Sequence, residues 1–506
     1  MPEDQDNRGN RGFRNARGRQ RPEVRRDTDR RRSVARPSDR RRGSDPARRV
    51  AWHVCRRVDE GAYANLELPK VLKAEGIQGR DAAFATELTY GAIRMRGLYD
   101  PMIELAAGRP AHRIDAPILD TLRLGAHQLF GMRVPAHAAA SETVGLARDV
   151  NGAGAAGLVN AVLRRLSERT REEWTEQLTA GLNPIEALAI RHSHPAWIVR
   201  ALRGALLAAG TATRESVEDD LQALLEADNA APHVSLVARP GLCTVDELVG
   251  VGASRSVLSP VGAVLPSGDP GAIRAVRETR AAVQDEGSQL VALALAGASM
   301  PGGDRHEEWL DLCAGPGGKA ALLATLAARQ DAVLFANEVS NHRTQLVRKT
   351  LAAVLDAGIE VMVGSGDGRD LGGEEPDTYD RVLVDAPCTG LGALRRRPEA
   401  RWRRTAGDVP TLATLQRDLL TSAIDTARPG GLIGYATCSP HVAETTQVVD
   451  EVLGRRADVI REDARPLFRD TAGRQVTDLG AGPTVQLWPH LHGTDAMFFA
   501  LLRKQT

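Results

Sequence analysis

Two cysteines stand where covalent chemistry is possible. The apolar run 382–384 ends in Asp385 and Cys388, and the apolar run 432–436 leads to Cys438, fifty residues after Cys388. Buried strands of a parallel sheet read as short apolar runs, and ligands bind outside the carboxyl ends of such strands. A single buried cysteine is more often a small apolar residue, but two at strand ends suit nucleophilic catalysis. By position alone, Cys388 is the first candidate nucleophile.

A glycine-rich turn lies ahead of both cysteines. It follows an expected strand at 309–313 and lacks both the full G-x-G-x-x-G pattern of dinucleotide sites and the G-x-x-x-x-G-K-[ST] pattern of ATP sites. Glycines in a strand-to-helix turn allow a ligand to approach the backbone closely. The residues that we expect to bind a cofactor here are Cys313, Ala314, Gly315, Pro316, Gly317, Gly318 and Lys319.

Acidic residues follow the next two expected strands. Glu338 comes nineteen residues after Lys319, where a carboxylate can accept hydrogen bonds from both hydroxyls of a ribose. Asp367 lies in the loop after the third strand, where it can accept from an adenine amino group. Either carboxylate alone could simply cap a helix or turn. Together with the glycine turn they predict a nucleoside site, and S-adenosylmethionine fits because it carries no phosphate.

The elements that position these residues alternate between strand and helix, which predicts a doubly wound, Rossmann-like α/β sheet. Two terminal apolar runs, 485–488 and 496–502, predict a hairpin added to the edge of that sheet. The strands are expected at 309–313, 332–337, 359–363, 381–385 and 432–436, with helices near 319–328, 341–356 and 411–427.

The chain is long enough for several domains, because single cores stop growing at roughly 250–300 residues. Apolar residues recur at helical spacing from 47 to 170 and predict an all-α bundle. Residues 171–283 predict a helical linker followed by a small α+β domain, and the α/β domain occupies 284–506. Residues 1–46 have almost no apolar side chains and predict a disordered arm.

Charge is distributed unevenly along the chain. Residues 1–50 carry 17 Arg against 8 Asp and Glu, a charge of +9, so the remainder carries −8. An Arg-rich arm on a mildly acidic body indicates either an RNA-binding arm or a solubilising tail, and the composition favours neither.

Cysteine usage and hydropathy exclude several classes of protein. The five cysteines are far apart, with no C-x-x-C pair, so neither a structural zinc nor a disulfide framework is expected. No apolar run reaches the ~18 residues of a membrane span, and the Arg-rich start lacks a secretory signal. We expect a monomer in a reducing cytoplasm, without a metal.

A basic segment follows Cys388. Residues 394–404 hold six arginines and one tryptophan, which offer phosphate contacts and a stacking surface. The alternative is a merely solvated basic loop. The residues expected to contact RNA are Arg395, Arg396, Arg397, Arg401 and Trp402.

Three motifs resemble those of a known family. Asp311–Lys319, Asp385–Gly390 and Ala436–Ser439 look like the signature motifs of the Sun/RsmB family of RNA cytosine carbon-5 methyltransferases. The helical region resembles the NusB family of RNA-binding domains, an arrangement of the RsmB branch, which acts on small-subunit (16S) ribosomal RNA. The matching helical pieces are 47–49, 84–88, 98–100, 118–129 and 158–163.

The resemblance assigns roles that spacing cannot assign. It implies that Cys438 is the nucleophile, that Cys388 assists product release, and that Asp385 contacts both the cofactor and the cytosine. It also implies S-adenosylmethionine contacts from 313–319, Glu338, Asp367 and Asp385. Gly315 stands where Ala is common in the family, and Glu338 where Asp is common.

Other interpretations of the sequence keep part of this assignment of function. The same chemistry could act on tRNA or another RNA, or the chain could be a non-catalytic RNA-binding assembly or antitermination factor. Retention of both cysteines, Asp385 and the glycine turn speaks against the latter. A DNA methyltransferase is disfavoured, because there the Pro-Cys motif carries the nucleophile.

Overall fold

The computed structural model describes residues 44–300 and 306–506, which begin with a helical bundle. The expected Arg-rich arm lies almost wholly outside the described residues. The first helix starts at Pro46, and the Asp45 carboxylate caps it by accepting from the Arg48 backbone N–H at 2.9 Å. The bundle comprises α1 (Pro46–Asp59), α2 (Ala64–Ala74), α3 (Gly79–Arg94), α4 (Arg96–Ala107), α5 (Ala116–Phe130), α6 (Ala136–Val150) and α7 (Ala153–Leu166).

Helix α5 forms the centre of the bundle. Its residues 119–128 are all buried, since Leu122 packs into one core cluster and Leu124 into another. A helix buried all round must pair its polar side chains. Arg123 accordingly donates to the Asp100 carboxylate at 2.7 Å and to that of Asp120 at 2.8 Å.

Further helices and a small sheet connect the bundle to the rest of the chain. The small sheet is antiparallel with strand order β2-β3-β1-β4. Among the described residues, no helix combines the length and apolar character needed to cross a membrane. The elements are α8 (Arg171–Thr179), α9 (Pro184–Arg191), α10 (Ala196–Ala209), α11 (Val217–Asn229), β1 (Val234–Ala238), α12 (Val245–Val249), β2 (Ser254–Arg255), β3 (Gly262–Leu265), α13 (Arg274–Arg277), β4 (Ala281–Val283) and α14 (Glu286–Gly297).

The C-terminal half forms a mixed sheet between layers of helices. Apolar clusters cover both faces, as the near-continuous apolar strands require. The elements are β5 (Glu307–Asp311), α15 (Gly318–Ala328), β6 (Ala332–Asn337), α16 (Asn341–Thr350), α17 (Ala352–Asp356), β7 (Val361–Gly364), α18 (Leu371–Glu374), β8 (Tyr379–Asp385), α19 (Ala400–Arg403), α20 (Asp408–Thr426), β9 (Ala427–Thr437), α21 (Thr446–Leu453), β10 (Val459–Glu462), β11 (Val485–Gln486), α22 (Pro489–His492) and β12 (Phe498–Lys504).

Strand order explains where a site can form. The order is β10-β12-β9-β8-β5-β6-β7, and the five strands from β9 to β7 are parallel. The order reverses between β5 and β8, so the loops after these strands diverge and leave a crevice at their carboxyl ends. This is the Rossmann-like sheet that the sequence predicts, and the expected fold class is confirmed. The domain boundaries at 170 and 283 stay a prediction.

The C-terminal hairpin needs a correction. Strand β12 pairs with β11 as expected, but it lies inside the sheet, antiparallel to β9 on one side and to β10 on the other. The edge strand is therefore β10, which the sequence did not suggest. It is only four residues long and exposes Ile460, so its apolar pattern is too weak to reveal it.

Residues 394–404, called the basic segment below, join the helical bundle to the sheet. Arg401 is fully buried, and burial lowers the pKa of its guanidinium to about 9. Its partners are oxygens near the ends of helices or in the turns after them, where cations are favourable. They are the carbonyls of Arg94, Ser193 and Asp228 and the side-chain oxygen of Asn229, at 2.7–3.3 Å.

Trp402 makes the neighbouring contact with the bundle. Its indole N–H donates to the carbonyl of Ile93 at 2.8 Å. Its ring lies against Gly97, where an added Cβ would stand 2.6 Å from the ring carbon Cη2. A glycine at this point of α4 therefore permits the two domains to approach.

Most of the residues that are expected to contact RNA in the basic segment contact protein in this structure. The guanidinium groups of Arg395 and Arg401 are buried and bonded to protein oxygens, and Arg396 pairs with two carboxylates, those of Asp285 and Asp495. A guanidinium used in this way is not free to bind a phosphate. Of the five expected contacts, Arg397 alone is exposed, and RNA binding by these residues stays a prediction.

We expect Arg401→Ala to lower the free energy of unfolding by about 3 kcal/mol, because it leaves several buried oxygens without a donor. Arg397→Ala is the matched control, and removing that exposed side chain should change the free energy by less than about 0.5 kcal/mol. Urea unfolding followed by tryptophan fluorescence measures both. Equal stability of the two variants would contradict the structural role of Arg401.

Candidate active site

The two candidate thiols meet above the ends of β8 and β9. These strands are adjacent and parallel, and their register sets Asp385 opposite Ala436. Each strand is followed by a loop, and the Sγ atoms of Cys388 and Cys438 in these loops lie 3.4 Å apart. Both residues are partly exposed, so a ligand in the crevice can reach them.

A partly buried ion pair lies next to the thiols. Lys319, at the start of α15, donates from Nζ to Asp385 Oδ2 at 2.7 Å. Burial acts to lower the pKa of Lys319, but the charge and hydrogen bond of Asp385 hold it above its ordinary value. The pair thus brings a permanent cation from the glycine turn to the end of β8.

The glycine turn packs closely against the carboxylate of Glu338. A Cβ on Gly315 would lie 2.0 Å from Glu338 Oε2 and 2.7 Å from the Arg343 guanidinium. Gly317 has a φ of +106°, a conformation that favours glycine. The turn therefore leaves its backbone open to a ligand. Its shape requires glycine, which has no side chain, at these positions.

Glu338 and Asp367 occupy different surroundings. Glu338 is buried, accepts from the Ser340 backbone N–H at 3.1 Å and lies 3.3 Å from the Arg343 guanidinium. Asp367 pairs with Arg369 in its own loop, which lowers the pKa of its carboxyl. A bound adenine would have to compete with that pairing.

Two residues that the sequence did not single out support this site. Asn337 donates to the carbonyls of Leu312 at 3.1 Å and Gly366 at 3.0 Å, so it ties the loops after β5, β6 and β7 together. Asp311 is fully buried at the end of β5, and burial, followed by the charge of Asp385, raises the pKa of its carboxyl to about 7. In the sequence, Asn337 and Asp311 each stand at the end of an apolar run, and that position was the available signal for them.

The two thiols have unequal surroundings. A hydrogen bond from Cys388 lowers the pKa of Cys438, and the cations Lys319 and Arg397 act in the same direction against burial. The same hydrogen bond, burial and the nearby carboxylate of Glu444 raise the pKa of Cys388 well above its ordinary value. Cys438 is thus favoured as the thiolate and Cys388 as the thiol that donates to it.

Comparison with known proteins identifies the family. Residues 302–503 match the family model of the 16S rRNA methyltransferases RsmB/F, and residues 45–168 match that of the NusB family. A putative methyltransferase of Mycobacterium tuberculosis is 50% identical over 471 residues, 92% of this chain and 98% of the relative. Ribosomal RNA small subunit methyltransferase B of Pseudomonas putida is 33% identical over 405 residues, 78% of this chain and 85% of the relative.

The chain belongs to the RsmB/F methyltransferase family. The resemblance drawn from its motifs is therefore confirmed. The crystal structure of PH0851 has the same fold, with a TM-score of 0.73 and 21% identity over 91% of this chain and 98% of that one. The RsmB/F match spans both thiols and the glycine turn, whereas the individual roles of these residues stay predictions.

The arrangement places two thiols and a cation together. Cys388, Cys438, Asp385 and Lys319 converge at one strand edge. Within residues 44–300 and 306–506, no group of three or more His, Cys, Asp or Glu could hold a metal ion. The chemistry that these residues offer is nucleophilic.

We expect Cys438 to be alkylated by iodoacetamide faster than Cys388 at pH 7–8, because a lowered pKa gives it the larger thiolate fraction. Its rate should reach half-maximum at a lower pH than that of Cys55, whose pKa burial raises well above the ordinary value. Peptide mass spectrometry over a pH series gives these rates. Faster modification of Cys388 would contradict the proposed asymmetry.

Proposed function

We propose that this chain transfers a methyl group from S-adenosylmethionine to carbon-5 of a cytosine in RNA, through a covalent adduct with Cys438. The observation that carries the proposal is the pair of thiols 3.4 Å apart beside the Lys319–Asp385 ion pair. An RNA-binding scaffold that performs no chemistry has no use for such a pair. The names of the curated relatives favour small-subunit ribosomal RNA over tRNA as the substrate.

The cofactor site fits a nucleoside ligand. The glycine turn presents backbone without side chains, and the buried Glu338 carboxylate beside it can accept from ribose hydroxyls. Residues 313–319, Glu338, Asp367 and Asp385 would hold S-adenosylmethionine, which supplies an electrophilic methyl group when bound. An added Cβ at Gly315 would fill part of this site.

Cys438 supplies the activation that cytosine needs. Its thiolate adds to carbon-6 of the ring and moves electron density to carbon-5, which then takes the methyl group. Asp385, held by Lys319, can bond the protonated nitrogen-3 and stabilise the adduct. Loss of the carbon-5 proton and expulsion of the Cys438 thiolate restore the ring, a release that Cys388 assists. The base must be turned out of any stack to reach the crevice.

Three parts of the chain would bind the RNA. The helical bundle matches the NusB family, and Arg397 is exposed and close enough to Cys438 to lower its pKa. A phosphate beside the target nucleotide could pair with that arginine. The Arg-rich arm would add contacts that carry no sequence specificity.

We expect Cys438→Ala to abolish methyl transfer, because no thiolate then adds to carbon-6. We expect Cys388→Ser to accumulate a covalent RNA–protein adduct, because release is slowed. The assay uses labelled S-adenosylmethionine and unmodified small-subunit RNA, with denaturing gels for the adduct. Cys243→Ala, a buried cysteine outside the site, is the control and should keep full activity. Full methyl transfer by Cys438→Ala would contradict the mechanism. Preferential methylation of tRNA would change the proposed substrate.

We expect Gly315→Ala to weaken S-adenosylmethionine binding about tenfold, because its methyl group displaces the Glu338 carboxylate. In the double variant that adds Glu338→Asp, the side chain is shorter by one methylene and the carboxylate lies farther back. Part of the lost affinity for S-adenosylmethionine should therefore be recovered. Gly373→Ala, where an added Cβ meets nothing within 4 Å, is the matched control. Isothermal titration calorimetry measures the three affinities. Unchanged affinity in Gly315→Ala would show that this turn does not hold the cofactor.

A further inference from the structure

Glu444 lies beneath the two thiols, where the proposed chemistry gives it no role. It ends a short 3₁₀ turn, Val442–Glu444, and its side chain is fully buried. Its carboxylate accepts from the Thr389 backbone N–H at 2.8 Å, the Ser439 hydroxyl at 2.6 Å and the Gln416 amide at 3.2 Å. A buried carboxylate is costly unless such donors satisfy it.

The origin of these donors links the two cysteine loops. Thr389 immediately follows Cys388, and Ser439 immediately follows Cys438. The Thr389 hydroxyl also donates to Glu444, and it lies 3.1 Å from the Ser439 hydroxyl. One carboxylate therefore fixes the residue after each thiol.

The network extends to the strand and helix on either side. Gln416 of α20 donates from the same amide nitrogen to the Pro387 carbonyl at 2.8 Å, one residue before Cys388. The Tyr435 hydroxyl of β9 donates to the Glu444 backbone carbonyl at 2.8 Å. Glu444 is thus held by rigid elements, as a residue that sets the geometry of others must be.

We propose that Glu444 is a positioning residue that holds Cys388 and Cys438 at contact distance and orients Cys388 as the donor to Cys438. The proposal rests on the proposed cysteine chemistry and adds a residue to it. Thr389, bonded through both its N–H and its hydroxyl, fixes the backbone directly after Cys388. Ser439 fixes the backbone directly after Cys438 in the same way.

The charges around the thiols favour the same assignment, with Cys388 as the hydrogen-bond donor and Cys438 as the acceptor. The anionic Glu444 lies on the Cys388 side and disfavours a second negative charge there. On the Cys438 side, Lys319 and Arg397 favour the thiolate, while Asp385 opposes it. Removal of the Glu444 charge should therefore make the two thiols more alike, besides loosening their loops.

The test is Glu444→Gln, which keeps the shape and removes the charge and one pair of acceptor sites. In the alkylation assay, the ratio of the Cys438 rate to the Cys388 rate at pH 8 should fall about three- to tenfold, since one pKa unit corresponds to a tenfold change in thiolate. In the RNA assay, kcat should fall about 10- to 100-fold, as for loss of hydrogen bonds to a buried charge. KM for S-adenosylmethionine should stay within about twofold.

The control is Glu307→Gln at the opposite end of the sheet. Glu307 is also a largely buried carboxylate, which accepts from Arg381 at 2.8 Å and from the Trp309 indole N–H at 2.7 Å. Its loss should affect stability but neither the thiol ratio nor kcat. Ser439→Ala is the second variant, which should lower the ratio in the same direction and decides the question where Glu444→Gln does not fold.

The outcomes separate the positioning role from the proposed function. Alkylation needs no RNA, so an unchanged ratio in a folded Glu444→Gln, or in Ser439→Ala, overturns the positioning role whatever the substrate is. A changed ratio in a protein that methylates no RNA would support the positioning role and refute the proposed function. An equal fall in kcat for Glu307→Gln would reduce Glu444 to a stabilising residue and also overturn the proposal.

Discussion

The parallel pairing of β8 with β9 is the constraint on which the site depends. Parallel neighbours end at the same edge of a sheet, and a register that sets Asp385 opposite Ala436 leaves only short loops before Cys388 and Cys438. A slip of one residue would turn every side chain of a strand to the other face. Both strands are almost wholly buried, so such a slip would place core residues in water and is strongly disfavoured. The fold core thereby brings the loops that carry the two thiols to the same edge of the sheet.

Two chemically identical thiols have pKa values shifted in opposite directions because their surroundings differ. The sulfur–sulfur hydrogen bond can be donated from either side, so the bond alone assigns nothing. The hydrogen bond from Cys388 is the largest cause of the lowered pKa of Cys438, and Lys319 and Arg397 add to it against burial and the charge of Asp385. Asp385 therefore acts twice, since it holds a cation beside the thiolate and keeps one carboxylate oxygen for other partners. Family resemblance gave the same assignment without this physical reason.

Much of the fold could be predicted from sequence because its signals are local. The apolar runs fell within two residues of the observed starts of β5, β6, β7 and β8, and the glycine turn and both cysteines marked the site. Glu444 carried no such signal, because its partners Thr389 and Gln416 lie 55 and 28 residues away. The surroundings of Arg401 were hidden for a related reason: a guanidinium can donate to a phosphate or to a carbonyl, and composition does not say which is near. Its partners Arg94 and Ser193 lie 307 and 208 residues away.

The basic segment connects the helical bundle to the loop that carries Cys388, and this connection has a mechanical consequence. It begins six residues after Cys388 and ends in contacts with the last turn of α3, through the carbonyls of Ile93 and Arg94. Between these points the chain is buried at Leu394, Arg395 and Glu399. A displacement of the helical bundle must therefore either break the contacts of Arg401 and Trp402 or pull on the loop that carries Cys388. The helical bundle and the loop that carries Cys388 are thus joined by a continuous path of packed groups.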